Sequence, residues 1–123
     1  MEYSFEKLKV WEESRNLVCS VYSLLQKFPK YELFGLSDQI RRAVISIPSN
    51  IVEGNIKKSI KERLHFFEIS YGSLLEVYCQ LIISKDLGYI SEKELSDIKP
   101  KIDYVSYLLT KLKKTLETNY NTN

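Results

Sequence analysis

Near the C-terminal end, Leu95, Ile98, Ile102, Val105, Leu109, Leu112 and Leu116 follow one another in alternating steps of three and four. A strand returns a side chain to the same face every second residue, whereas an α-helix does so after three or four. The segment is therefore committed to a long helix with one apolar edge. Leu64, Phe67, Tyr71, Leu74, Tyr78 and Leu81 repeat the alternation, and Leu36, Ile40, Ala43, Ile47 and Ile51 carry it earlier. The first segment shows Leu8, Trp11, Val18, Tyr22 and Leu25, with polar Ser14 and Arg15 where a step is missed. Four stripes share one period, and no strand pattern competes with them.

The punctuation agrees. Pro29 closes the first stripe, and Lys30-Tyr31-Glu32 reads as a short link. Ser59-Ile60-Lys61-Glu62 and Ser91-Glu92-Lys93-Glu94 have the form of capping boxes, in which the serine accepts an orphan amide and the glutamate reaches back. Gly54 and Gly88 stand where a left-handed residue would end a helix. Helices are predicted at roughly 7–28, 34–55, 60–87 and 92–118, with residues 119–123 a frayed tail. At 123 residues the chain makes one domain with one core. Short links between long helices predict an all-α, antiparallel, up-down-up-down four-helix bundle. The apolar phase runs through Pro48, which predicts one kinked second helix rather than two helices, and through Pro100 in the fourth.

The apolar residues exceed what a lone bundle needs. Phe66, Ile69, Val77 and Ile83 fall outside the third stripe, and Ile45 and Val52 fall outside the second. A helix apolar on a second face has to bury it somewhere, which makes Ile45, Val52, Phe66, Ile69 and Val77 candidates for contact with another copy. Cys19 and Cys79 lack any metal-binding spacing and read as buried, reduced thiols of a cytoplasmic protein. The polar first residues do not read as a signal peptide, and no apolar run is expected to span a bilayer.

Catalytic chemistry finds little support. Glu62-Arg63-Leu64-His65 has the ExxH form used in di-iron bundles, but that site needs two such motifs and His65 is the only histidine. Zinc lacks its ligand spacing, and there is no GxSxG, Cys–His pair or phosphate-binding glycine loop. Glu53, Glu68 or Glu76 would serve as an acid or base only if buried. Helical RNases of the HEPN type set an arginine four to six residues before a histidine, and none precedes His65 so. The expectation is a protein without enzymatic activity, metal or cofactor.

Charge is the more informative signal, although the net value is only +2. Arg41 and Arg42 lie on the second helix, Lys57, Lys58, Lys61 and Arg63 surround the next turn, and Lys111, Lys113 and Lys114 come late in the fourth helix. Guanidinium groups suit bidentate phosphate contacts and lysines add sequence-independent attraction. The late lysines also read as cations placed to complement a helix C-terminus.

Phe34-Gly35-Leu36-Ser37-Asp38-Gln39-Ile40-Arg41-Arg42-Ala43, followed by Ser46-Ile47-Pro48-Ser49-Asn50-Ile51-Val52-Glu53-Gly54, resembles the signature of the 23S rRNA intervening-sequence proteins, a bacterial family of four-helix bundles. Leu8-Lys9-Val10-Trp11, Gly72-Ser73-Leu74-Leu75-Glu76 and Asp86-Leu87-Gly88-Tyr89-Ile90 match as well. The resemblance implies a left-handed antiparallel bundle and a pentameric assembly. The family is named for genes within intervening sequences of 23S rRNA genes, and no enzymatic activity is established for it. A similar bundle is the accessory protein of diversity-generating retroelements, where it partners a reverse transcriptase. Carried onto this chain, the motif places Arg41 and Arg42 as phosphate contacts. Ser49, Asn50 and Glu53 become a polar cluster that satisfies backbone groups around Pro48 or forms a subunit contact. Two functions are thus expected of the sequence: an oligomer that binds structured RNA, and a protein–protein scaffold or accessory subunit.

Overall fold

In the computed structural model, which describes residues 1–122, the chain forms α1 (Lys9–Leu25), α2 (Leu36–Ile56), α3 (Ile60–Asp86) and α4 (Glu92–Thr122). One-turn 3₁₀ helices stand before α1 at Ser4–Lys7 and between α1 and α2 at Lys30–Glu32, and the described residues contain no strand. Each helix packs on the next, and α4 closes on α1; the diagonal pairs bring no Cα atoms within 8 Å. This is the four-helix bundle expected of four apolar edges meeting in one core. Ser46 meets Ser73 and Gly54 meets Phe67, so numbers rise on α2 as they fall on α3. Tyr71 with Lys113 and Tyr78 with Lys99 show the same opposition for α3 and α4, as do Ser20 with Lys101 and Lys27 with Glu94 for α1 and α4.

Helix ends follow local chemistry. Ser91 completes its box: its Oγ accepts from Glu94 N at 3.0 Å and its N–H donates to Glu94 Oε1 at 2.8 Å. The Lys27 ammonium, followed by this Ser91 amide, holds the Glu94 carboxyl below its usual range. At Ser59 the hydroxyl caps Glu62 N at 3.1 Å, while the glutamate turns to the Ser59 hydroxyl rather than to its amide. Gly88, at φ +82°, ends α3 with its own amide on Lys85 O and that of Tyr89 on Ser84 O. Gly54 does something other than expected, since α2 continues past it to Ile56 without a positive φ. A Cβ there would lie 2.6 Å from Cε1 of the buried Phe67 ring, so the glycine is a packing gap between helices. Helix α4 likewise outruns its predicted end at 118, because no glycine or proline follows Leu116 to stop it. Asn123 lies outside the described residues.

The core shifts the phase of the first stripe and widens the third, which buries Phe67, Leu74 and Leu81 as expected. α2 and α4 bury Ile40, Ile47, Ile51, Ile98, Ile102, Val105 and Leu109 as predicted. In α1, however, the buried edge is Val10, Ser14, Leu17 and Val21, while Trp11, Val18 and Leu25 are half-buried and Tyr22 is exposed. Ser14 sits in the core because its hydroxyl donates to Trp11 O at 2.8 Å. In α3 the buried edge passes through Phe67, Ser70, Ser73, Leu74, Val77, Gln80, Leu81 and Ser84. Ser70 donates to Ile47 O at 2.9 Å and Ser84 to Gln80 O at 2.7 Å. Small hydroxylated residues therefore occupy core positions, and aliphatic residues are left outside. One stretch of α3 is long and apolar enough, by length and composition alone, to cross a membrane, which the sequence reading did not anticipate; it packs beside α2 and α4 with 33% of it buried. Both cysteines are exposed, contrary to expectation, because Cys19 and Cys79 lie off the corrected core edges.

Gly54→Ala is expected to destabilise the protein by about 1–3 kcal/mol through overpacking against Phe67. Thermal melts should show a fall of roughly 4–12 °C. Gly72→Ala, where a Cβ meets nothing within 4 Å, should instead raise the midpoint slightly.

Candidate nucleic-acid interface

The structure separates the sequence-derived cations into two groups. Arg42 and Lys57 are fifteen residues apart on one helical run, about 22 Å along the axis. At the first end of α2, Arg41 Nη2 donates to Leu33 O at 2.8 Å and approaches Asp38 Oδ1 at 3.5 Å. Arg41 is therefore a strut that ties the incoming link to α2. Arg42 also finds Asp38, through Nε to Oδ2 at 2.9 Å, but its side chain is 81% exposed. One carboxylate serves both guanidinium groups, and only Arg42 has its face turned to solvent.

The second group surrounds the turn from α2 to α3. Lys57 caps the C-terminus of α2, where a cation is favourable, and lies over the Phe66 ring at 5.1 Å with Glu53 at 3.9 Å. Lys58, Lys61 and Arg63 have no carboxylate within 4.0 Å among the described residues. The nearest candidate in sequence, Glu62, is engaged with Ser59. Lys61 and Arg63 stand in the first turn of α3, where the helix dipole is positive and cations are disfavoured. Arg63 is half-buried, and its Nε is covered without a hydrogen-bond partner. Elsewhere the exposed cations Lys9, Lys27, Lys93 and Lys99 are each paired with a carboxylate, whereas Lys7, Lys30 and Lys101 stand singly without one among the described residues. The α2–α3 turn thus concentrates positive charge where helix stability argues against it.

The motif's polar residues divide in the same way. Asn50 Nδ2 donates to Ser46 O and to Ser46 Oγ, both at 2.8 Å, and Ser46 Oγ lies 2.9 Å from Ser73 Oγ. Helix α2 runs unbroken through Pro48. The donors arrive at the carbonyls of Ser46 and Ile47, whereas proline withdraws its amide from Val44. Ser49 is exposed and lines a shallow groove of about 380 Å³ between α1 and α2, together with Trp11, Val18, Ile45, Pro48 and Val52. Glu53 is exposed beside Lys57. These three residues do not converge into one site.

Of the apolar candidates, Ile45 and Ile69 are 43% and 39% exposed, and Val52 and Phe66 are half-buried. Val77 is fully buried in the core and has no surface to offer a partner. The error follows from too narrow an edge for α3, since a stripe read through Tyr78 puts its neighbour Val77 outside. His65 is exposed, edge-on to Phe66, and no three His, Cys, Asp or Glu side chains among the described residues could hold a metal.

Sequence reasoning missed a cluster at the opposite end. Tyr89 Oη donates to Glu32 Oε2 at 2.9 Å and lies 3.0 Å from Tyr31 Oη, while Glu32 Oε1 accepts from Leu36 N at 3.1 Å. The hydrogen bond with Tyr31, then burial and the Glu32 carboxylate, push the Tyr89 hydroxyl well above its ordinary value. The cluster locks the two connections at this end together. Tyr89 stands 57 residues from Glu32, so only the fold brings it to the adjacent Tyr31 and Glu32.

These features describe an antiparallel four-helix bundle with its informative chemistry on the surface. The family model described as 23S rRNA-intervening sequence protein matches residues 6–111, and the chain belongs to that family. A solved protein of unknown function from the S23 ribosomal protein family of Bacteroides thetaiotaomicron VPI-5482 is similar in structure, with a TM-score of 0.78 at 22% identity. The match covers 85% of this chain and 98% of that one, and at this identity it speaks to fold alone. No curated protein matches the chain. Neither the family description nor that of the solved neighbour is the description of an enzyme.

Arg41→Ala is expected to cost about 1 kcal/mol in urea denaturation, because the Leu33 carbonyl loses a charged donor. Arg42→Ala should stay within about 0.5 kcal/mol of the parent.

Proposed function

We propose that this protein is a non-enzymatic, cytoplasmic homo-oligomer that binds structured RNA, ribosomal RNA being the kind its family description suggests. The observation that carries the reading is the set Lys58, Lys61 and Arg63, with Lys57 beside them. Cations without carboxylate partners at a helix N-terminus weaken the fold slightly, and they suit a polyanion laid across the turn. Arg42 provides a second, exposed guanidinium, while Arg41 is already held by the fold. Repetition of the turn in an oligomer would bring several weak phosphate contacts onto one ligand.

A second copy is the simplest cover for the apolar residues left outside the core. Ile45 and Val52 along the α1–α2 groove, with Phe66 and Ile69 on α3, are the contacts we assign to it, and the family resemblance points to five copies. The same surfaces favour the second reading, a scaffold or accessory subunit for another protein.

A labelled RNA hairpin titrated between about 50 and 200 mM salt should bind with steep salt dependence. Lys58→Glu with Lys61→Glu should weaken it more than tenfold and flatten the salt slope by about two. Binding that ignores both salt and the double substitution would remove the RNA reading, and a protein recovered from nuclease-treated extracts would then favour the scaffold. Separately, Ile45→Glu or Ile69→Glu should lower the assembled mass in light scattering while circular dichroism keeps its helical signal. An unchanged mass in both variants would show that these faces are not the contacts between copies.

A further inference from the structure

The outward side of α4 carries an aromatic and basic strip that the α2–α3 turn does not explain. Tyr104, Tyr107, Lys111 and Lys114 recur at steps of three and four, opposite the buried edge of Ile102, Val105, Leu109 and Leu116. Tyr104 and Tyr107 are 41% and 59% exposed, and Lys111 and Lys114 are exposed beyond them. The late lysines were expected to complement a helix C-terminus, but α4 continues to Thr122 and its last turn contains no basic residue. The dipole, felt only within the final turn, therefore does not account for them.

The other aromatic rings near cations are already occupied. Lys113 lies over Tyr71 at 4.6 Å, Lys99 over Tyr78 at 5.7 Å and Arg15 over Trp11 at 5.2 Å. Among the described residues no cation covers Tyr104 or Tyr107, and neither hydroxyl makes a hydrogen bond. Three carboxylates near the strip are neutralised in place, Asp103 by Lys99 at 3.0 Å, Asp97 by Lys93 at 2.9 Å and Glu13 by Lys9 at 3.2 Å, while Glu117, one turn beyond Lys114, has no cation within 4.0 Å among the described residues. Two open ring faces are thus followed along about 15 Å of helix by two cations without carboxylate partners.

We propose that this face of α4 binds unstacked nucleotides of single-stranded or looped RNA, with Tyr104 and Tyr107 stacking on bases and Lys111 and Lys114 meeting the phosphates that follow. The inference rests on the RNA reading above and adds a second site with a different preference. Stacking on an aromatic ring requires a base that has left its duplex, whereas the lysines of the α2–α3 turn are indifferent to pairing.

The test uses the full chain, a labelled 12-nucleotide oligouridine and a 12-base-pair RNA duplex, with mass measured by light scattering in each sample. Tyr104→Ser with Tyr107→Ser should weaken oligouridine binding by roughly tenfold or more and leave duplex binding within about twofold. Tyr104→Phe with Tyr107→Phe, which keeps both rings, should bind oligouridine as the parent does. Unchanged oligouridine binding by the serine variant overturns the strip while leaving the RNA reading in place. Loss in the phenylalanine variant, or equal loss for oligouridine and duplex, overturns stacking as its basis. A serine variant of altered mass assigns the face to contact between copies instead, which also overturns it. A parent protein that binds neither RNA removes this inference together with the reading on which it rests.

Discussion

The close approach of α2 and α3 sets the rest of the bundle. Gly54 leaves the gap into which Phe67 fits, Ser70 reaches across to the Ile47 carbonyl, and Ser46 meets Ser73 with Asn50 behind it. Each contact needs a small or hydroxylated residue on the inner side of a helix, where a leucine would hold the backbones apart. The hydroxyls can be buried because each has a hydrogen-bond partner across the seam or within its own helix. Once α3 turns its serines inward, Ile69, Leu75 and Ile83 are carried outward by the helical period, and each is exposed. The tight seam and the apolar exterior are one fact seen from two sides.

The exposed charges follow a different logic. Surface ion pairs add little to stability, so Lys9, Lys93 and Lys99 with their carboxylates say more about the field than about the fold. Where pairs close, the local field falls; where they are absent, it remains. Lys58 and Lys61 at the α2–α3 turn and Lys111 and Lys114 on outer α4 are among those left in this second condition. Net charge conceals the distribution, since paired and unpaired cations count alike in the sum.

Much of the fold was legible in the sequence. α2 and α4 display their core edges as aliphatic residues, and Ser91 and Gly88 mark real boundaries. α1 was read one residue out of phase because Ser14 looks polar as a letter. α3 buries Phe67, Leu74 and Leu81 as read, and has a wider edge because Ser70 and Ser84 become core residues once their hydroxyls find carbonyls. Too narrow an edge for α3 made Val77 a surface candidate, whereas the two thiols were placed inside only because their spacing fits no metal. The candidate interface was legible only as composition. Which arginine is a strut, which lysine lacks a carboxylate and which tyrosine has an open face all depend on side-chain geometry that the order of residues does not carry. Tyr89 is the plainest case, being joined to Tyr31 and Glu32 solely by the fold.

The diagonal separation of α1 from α3 fixes what oxidation can do to this molecule. Cys19 and Cys79 lie on those two helices, whose Cα atoms nowhere come within 8 Å, and both thiols face solvent. A disulfide needs Cα atoms about 4.4–6.8 Å apart, so the folded chain has no way to close one on itself. Any disulfide formed by the native protein must therefore cross-link two molecules, and the cysteine found at the junction would mark a face on which they met.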